Sequence, residues 1–328
     1  MNFVITGGGK MKKKFITAVL VCLMTLLFSC TALAAWKPMP IITVVVPAGT
    51  GGDTDIVARI FAKYASKYSD ANVRVINIAG SAGSMASADV LTSPPDGHTF
   101  LITHCNVNTA YLSGVTKFNY KAFKLGPTFV KSPAQQLYVI SDKYKGLDDF
   151  IAAAKANPGK LIACTEFGAY SYYNLLAFEK AAGIKLNIVD IGGSSDKLYA
   201  MLFSGVVDLM PSTYSITREY VDSGRFKVLG VPTALRYDIL REFPTFKEQG
   251  IDFVFPDLDY SFYFPAGTPD NVIAWYENLV QKILNDPAAK EEINNAESIP
   301  YYLSGEDSAK NEELVFSVLK NVADFIGK

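Results

Sequence analysis

The sequence predicts an α/β protein with parallel sheets arranged in two lobes. Three observations carry this. Short β-branched apolar runs alternate with segments of helical spacing. The alternation occurs in two successive stretches, each sufficient for a sheet of its own. The 328 residues exceed what a single core usually organises, which favours lobes of about 100–150 residues. With 49% hydrophobic and 12% aromatic residues, a disordered polyampholyte is excluded. The net charge of −1 provides no basic excess for nucleic acid. The only two histidines, His98 and His104, argue against a His-rich metal centre, and four cysteines are too few for a disulfide framework.

Residues 41–46 (IITVVV) form a β-branched run ended by Pro47 and glycines, hence a buried parallel strand. Residues 55–68 place Ile56, Ile60, Tyr64 and Ala65 at helical spacing. A strand at 73–76 is followed by Gly80-Ser81-Ala82-Gly83 and a small-residue helix. Pro94, Pro95, Asp96 and Gly97 make a turn, and 99–103 is a third strand. The second stretch reads as a strand at 137–140, a helix at 147–156, a strand at 161–163 and a helix at 172–182 ended by Gly183. A strand at 188–190, a glycine turn and another helix follow, then strands at 206–210 and 226–230. From Pro269 onward the chain is mostly helical. Alternation of this kind implies right-handed crossovers between parallel strands.

The N-terminus has the build of a secretory signal, residues 1–35. Met11-Lys12-Lys13-Lys14 is a basic start, 15–30 is uncharged, and Ala32 and Ala34 occupy the small positions of a cleavage site. Residues 1–10 precede this start and fit a mis-assigned initiation. The uncharged run is short for a bilayer span. Leu27-Phe28-Ser29-Cys30 offers the alternative of a lipoprotein anchored through Cys30. Either version places the mature chain outside the cytoplasm, in the periplasm. Its removal leaves 27 basic against 32 acidic residues, and Cys105 and Cys164 as the remaining thiols, either paired or separately buried.

Four turns between a strand and a helix are friendly to anions, because such turns expose N–H groups at a positive helix terminus. They are residues 46–55 (VPAGTGGDTD), 80–84 (GSAGS), 165–173 (TEFGAYSYY) and 192–196 (GGSSD), two in each stretch. The first lacks the Lys-Ser/Thr ending of a P-loop and is no GxGxxG. Taken alone it reads equally as a tight turn capped by Asp53 or Asp55. In parallel sheets ligands sit at the carboxyl ends of strands, so the four together suggest a cleft that closes on a small anion. His104 lies at such an end, read either as a ligand contact or as a satisfied hydrogen-bonding residue. Phe167, Tyr170, Tyr172 and Tyr173 read either as a stacking surface or as helix packing.

In five ordered segments the chain resembles the substrate-binding proteins of tripartite tricarboxylate transporters, the Bug receptors. These are 46–59 (VPAGTGGDTDIVAR); 80–83 with 93–99 (SPPDGHT); 154–160 (AKANPGK); 204–208 (SGVVD); and 243–250 (FPTFKEQG) with 265–269 (PAGTP). The resemblance runs from about residue 38 to the C-terminus. It implies a two-lobed, type II "Venus flytrap" periplasmic-binding-protein fold of mainly parallel sheets flanked by helices. Lobe 1 would be 36–130 with 257–328, and lobe 2 131–256. It implies first-lobe ligand contacts from Ala48, Gly49, Thr50, Gly51 and Thr54, with Ser81 and Ala82 nearby. Second-lobe contacts would be Thr165, Gly168, Ser171 and Tyr172, with Gly193 and Ser194. Asp208 fits the family's Gly-x-x-Asp and reads either as a ligand contact or as a loop-fixing cap. The chain departs from the pattern at Asp53, where relatives carry a small residue, at Ser84, and at Tyr260-Ser261-Phe262-Tyr263.

The function implied is capture of a small carboxylate, a dicarboxylate first, and its delivery to the membrane permease subunits of a tripartite tricarboxylate-type transporter. The receptor would act as a monomer without cofactor, metal, nucleic acid or catalysis. The alternatives are an aromatic carboxylate, an acidic amino acid (motivated by Asp53), a ligand sensor for a signalling partner, and an exported α/β hydrolase. The last lacks a visible nucleophile–base set.

Overall fold

The computed structural model describes residues 36–192 and 195–326, with the side chains of Ser195, Asp196 and Ile326 outside the description. The signal segment, including Cys22 and Cys30, and the site candidates Gly193 and Ser194 lie outside the described residues. Residues 38–328 form one compact unit.

A six-stranded sheet organises the larger part. Strands β1 (Ile41–Val46), β2 (Asn72–Asn77) and β3 (Thr99–Thr103) run parallel, with Val44 opposite Val75 on one side and Phe100 on the other. Their crossovers are α1 (Asp53–Tyr68) and α2 (Ser84–Leu91). The sheet is mixed, a departure from the mainly parallel expectation. β10 (Leu258–Pro265) inserts antiparallel between β3 and β4 (Phe123–Ser132), and β11 (Ile299–Leu303) closes the β4 edge antiparallel. Local patterning hid these strands. Gly126 and Pro127 interrupt β4, and polar Asp259 and Ser261 interrupt β10. Both are tolerated because the register shifts opposite Thr128, where a bulge absorbs the irregularity.

Alternation of side chains gives the sheet two buried faces. Phe100, Phe262 and Phe264 point one way into an aromatic cluster with Phe61 of α1 and Tyr276 of α8 (Asp270–Asn285); the Phe61–Phe262 centroids are 4.7 Å apart. Val45, Leu101 and Tyr263 point the other way, onto Ala86 and Val90 of α2 and Val107 of α3 (Asn106–Leu112). Each such pair of buried rings adds about 1 kcal/mol beyond the area it hides. Helices α9 (Pro287–Asn295) and α10 (Gly305–Ile326) complete the C-terminal part.

Residues 136–230 build smaller sheets. β5 (Gln136–Ile140) pairs antiparallel with β8 (Met210–Ser212) and β9 (Phe226–Gly230), while β6 (Ile162–Thr165) and β7 (Asn187–Asp190) run parallel. A bridge from Ala163 to Leu209 joins them. The intervening helices are α4 (Leu147–Ala156), α5 (Tyr170–Ala182), α6 (Ser195–Phe203) and α7 (Tyr214–Asp222). The strand expected at 206–210 begins only at Met210, because the amides of Asp208 and Leu209 both donate to the Ile162 carbonyl, a local two-against-one irregularity. Cys105 and Cys164 are buried free thiols. Among the described residues no helix is long and apolar enough to cross a membrane, and no His/Cys/Asp/Glu group could hold a metal ion.

Candidate functional site

Because β1, β2 and β3 are parallel, their carboxyl ends share one edge. The turns after them carry three of the sequence-predicted groups: 47–52, 78–83 and His104. The first two touch: a Cβ on Gly83 would lie 2.9 Å from Pro47 Cβ, and Gly83 has φ +80°, so only glycine fits there. The turn after β2 is unusual in holding Gly80, Ser81, Ala82 and Gly83 all at positive φ. This fold of the backbone aims the Ala82 N–H outward from the sheet edge, and its partner comes from the turn after β6. The Glu166 carboxylate accepts that N–H at 2.9 Å.

Further contacts bind the same two regions. The Tyr170 N–H, at the start of α5, donates to Asn106 Oδ1 of α3 at 2.8 Å. Ala82, Ala110 and Ala169 pack together, and the Tyr173 and Ser113 hydroxyls lie 3.0 Å apart. Gly168, at φ +79°, sits so close to Val115 that a Cβ would approach its side chain to 3.0 Å. The turns after β1–β3 and after β6 therefore converge on one place.

The anion seats at these turns already hold carboxylates of the chain itself. The Gly51 N–H donates to Asp55 Oδ2 at 2.9 Å and the Thr54 N–H to Asp53 Oδ1 at 2.8 Å. Asp55 is buried; although burial alone would raise its pKa, bonds from Arg59, Gly51 and Asn77 bring it below the usual value. Asn77 also donates to the Ala48 carbonyl, tying the turn to β2. Asp53 Oδ2 accepts from Tyr260 Oη at 2.9 Å. Its position at the site comes from β10, which runs antiparallel next to β3. Ala48 is half-buried, Gly49, Thr50 and Ser81 are exposed, and Thr54 is buried with its hydroxyl near Asp53.

His104 is buried between the edges of Tyr170 and Tyr260, with ring centroids 5.5 and 5.7 Å away. Burial pushes its pKa down to about 4, with Asp53 pulling the other way, so the ring is neutral at pH 7. Glu166 is held above the usual carboxylate range by burial first, the Ala82 bond opposing and Asp190 adding to it. Thr165 is buried and its hydroxyl lies 2.6 Å from that of Ser171. Tyr172 is half-buried against exposed Phe167, centroids 5.1 Å apart, whereas Tyr170 and Tyr173 are buried in packing. The stacking surface is thus confined to Phe167 and Tyr172.

Asp208 has the partners of a loop-fixing residue, the second of the two readings its sequence position offers. Its oxygens accept from Tyr144 Oη and the Ile162 N–H, each at 2.8 Å, and pair with Lys143. Ile162 begins β6 and Thr165 ends it, so Asp208 holds the opposite end of the strand from the site, about 10 Å away. Its carboxylate fixes the strand start. His98 likewise lies before β3, accepting the Met39 N–H. Residues that sequence reasoning did not name as contacts are Asn77, Asn106, Glu166, Asp190 and Tyr260, although Glu166 lies within the turn at 165–173 and Tyr260 within a segment that departs from the family pattern. A lone acid within a glycine- and hydroxyl-rich turn is the signal that marks Glu166.

The fold and the converging strand-end turns define the class: a solute-binding protein of the periplasmic-binding-protein type. The family model described as tripartite tricarboxylate transporter family receptor (TctC) matches residues 57–317, and the chain belongs to that family. Its relatives include the UPF0065 protein in the tcbD-tcbE intergenic region of Pseudomonas sp. strain P51, 30% identical over 76% of this chain and 75% of that one. Protein BugT of Bordetella pertussis is 27% identical over 76% of this chain and 78% of its own. Among solved structures, MatC from Rhodopseudomonas palustris with bound malate superposes with TM-score 0.79 at 22% identity, covering 87% of this chain and 99% of its own. A protein of R. palustris with adipate gives 0.81 at 24%, covering 88% and 98%.

Proposed function

We propose that this receptor captures a small carboxylate, dicarboxylates being the first class to test, in a cleft between two lobes. Lobe 1 is 36–130 with 257–328 and lobe 2 is 131–256. In support, the six-stranded sheet takes every strand from residues 41–132 and 258–303, and the smaller sheets take theirs from 136–230. One wall comprises Ala48, Gly49, Thr50, Gly51, Thr54, Ser81, Ala82 and His104. The other comprises Thr165, Gly168, Ser171 and Tyr172. The observation that carries the reading is the meeting of the turns after β2 and β6 at Ala82 and Glu166. The malate and adipate bound by the two structural neighbours favour the dicarboxylate class.

The loaded receptor, exported by residues 1–35 and acting as a monomer, passes its solute to permease subunits of a tripartite tricarboxylate-type transporter. Closure follows from the ligand's higher affinity for the closed state. A thermal-shift screen of dicarboxylates, tricarboxylates, aromatic acids and amino acids tests the reading, since selective binding raises apparent stability. At least one carboxylate should raise the melting temperature in proportion to the logarithm of its concentration. Shifts with neutral sugars alone would overturn it.

A further inference from the structure

A tie between the two parts of the chain lies away from the site. Arg218 of α7, among the smaller sheets, pairs with Glu297, which stands between α9 and β11 of the larger part. The Arg218 side chain is half exposed and that of Glu297 nearly buried. Glu297 has φ +50°, in the left-handed region that favours glycine. Its N–H donates to the Asn294 carbonyl at 2.9 Å and the Ser298 N–H to that of Ile293 at 3.2 Å, so this turn ends α9. Glycine is the ordinary residue at such a helix end. A glutamate held there against backbone preference points to a use for its side chain. The Ser298 and Ser132 hydroxyls, 2.9 Å apart, fix the turn to the last residue of β4.

The chain leaves the six-stranded sheet at the end of β4 and returns to it at the start of β10, and these two strands are neighbours. In strand order the site lies on one side of them, at β3, β1 and β2, and β11 lies on the other. Ile299, which opens β11, is opposite Lys131, next to the crossing. The two crossings are the pivot for movement of one part against the other. A rotation that narrows the gap at the site cannot have its axis through the site. About an axis at the crossings, the same rotation widens the gap on the β11 side. The Ala82–Glu166 bond and the Arg218–Glu297 pair thus stand on opposite arms of one lever.

We propose that the Arg218–Glu297 pair is a counterweight to closure and sets the receptor's affinity for its solute from outside the site. This rests on the two-lobe receptor reading above and goes beyond it by naming residues that touch no solute. Without the pair a larger fraction of the protein is closed before solute arrives, and apparent affinity rises in proportion.

Nitroxide labels at Ala88→Cys of α2 and Asn187→Cys of β7, both exposed, report the gap on the site side by electron–electron distance measurement. Cys105 and Cys164 are buried and stay unlabelled. Without solute, Arg218→Gln and Glu297→Gly should shift the distances toward shorter values, and Arg218→Lys, which keeps the cation, should match wild type. Glycine suits φ +50°, so Glu297→Gly keeps its turn. If neither variant folds, wild type in about 1 M NaCl, which screens a half-exposed pair, makes the same comparison. Malate and adipate are the probes for affinity, and whichever binds should bind each variant about threefold more tightly. Distances equal to or longer than those of wild type overturn the counterweight, and unchanged affinity beside shorter distances overturns its control of binding. A thermal-shift screen in which no carboxylate binds overturns the receptor reading instead, because the distance comparison uses no solute.

Discussion

Asn106 caps a helix that begins 64 residues later: its Oδ1 accepts the Tyr170 N–H at 2.8 Å. α5 has no cap from its own N-cap residue, Ala169, so a side chain of α3 supplies it. The bond joins the element that follows β3 to the one that follows β6. Helix-start geometry in one region is thus conditional on the other.

Asn106→Ala should cost about 1 kcal/mol, the usual worth of a lost N-terminal cap. Urea denaturation would report it as a lower midpoint with an unchanged slope. A midpoint equal to wild type would show that Tyr170 is satisfied otherwise.

Asp208→Ala should destabilise the fold by about 3 kcal/mol, since three donors lose a charged acceptor. The Lys143, Ile162 and Tyr144 bonds outweigh burial and hold the Asp208 pKa below its ordinary value. Its stabilisation is therefore complete above the unfolded pKa of 3.8 and is lost as pH falls through the folded value. Affinity for whichever solute the screen identifies should be unchanged in this variant. A selective loss of affinity with normal stability would return Asp208 to the binding surface.

Glu312 of α10 makes a prediction of opposite sign. It is buried, accepting from Asn108 Nδ2 at 2.6 Å and Tyr263 Oη at 2.8 Å. Burial, with a smaller contribution from Asp259, pushes its pKa up from 4.5 to about 7. The neutral acid is thus favoured on folding. This advantage is full below 4.5 and disappears as pH rises through about 7. Wild-type stability should fall relative to Glu312→Gln between pH 5 and pH 8, by on the order of 3 kcal/mol. Parallel stability curves for the two proteins would refute it.

Gly83→Ala should cost about 1–2 kcal/mol, because an alanine at φ +80° is strained and its methyl meets the rigid Pro47 ring. Solute affinity should fall with it, as the turn after β2 must move. Chemical denaturation and calorimetry together measure both effects.

Much of this molecule is written locally. The β-branched run at 41–46, the helix at 147–156 and the strands at 99–103 and 226–230 fall where the sequence puts them. Apolar periodicity and stop signals such as Asn157-Pro158-Gly159 act within a few residues. The strand-end turns were legible for the same reason, since glycine and hydroxyl chemistry between a strand and a helix is a short-range pattern. The family, too, was readable from five ordered segments.

Tertiary structure alone decided what those turns do. That β10 lies antiparallel between β3 and β4, bringing Tyr260 to Asp53, depends on pairing partners more than 100 residues apart. Local patterning carries no record of strand direction. Nor could it say which carboxylate takes which amide: Glu166 reaches Ala82 across 84 residues of chain, and Asp208 turns away to hold Ile162. Both are acids beside turns in the sequence. Only the folded geometry, by setting who is within 3 Å, makes one a bridge between two strand-end turns and the other a brace for the start of β6.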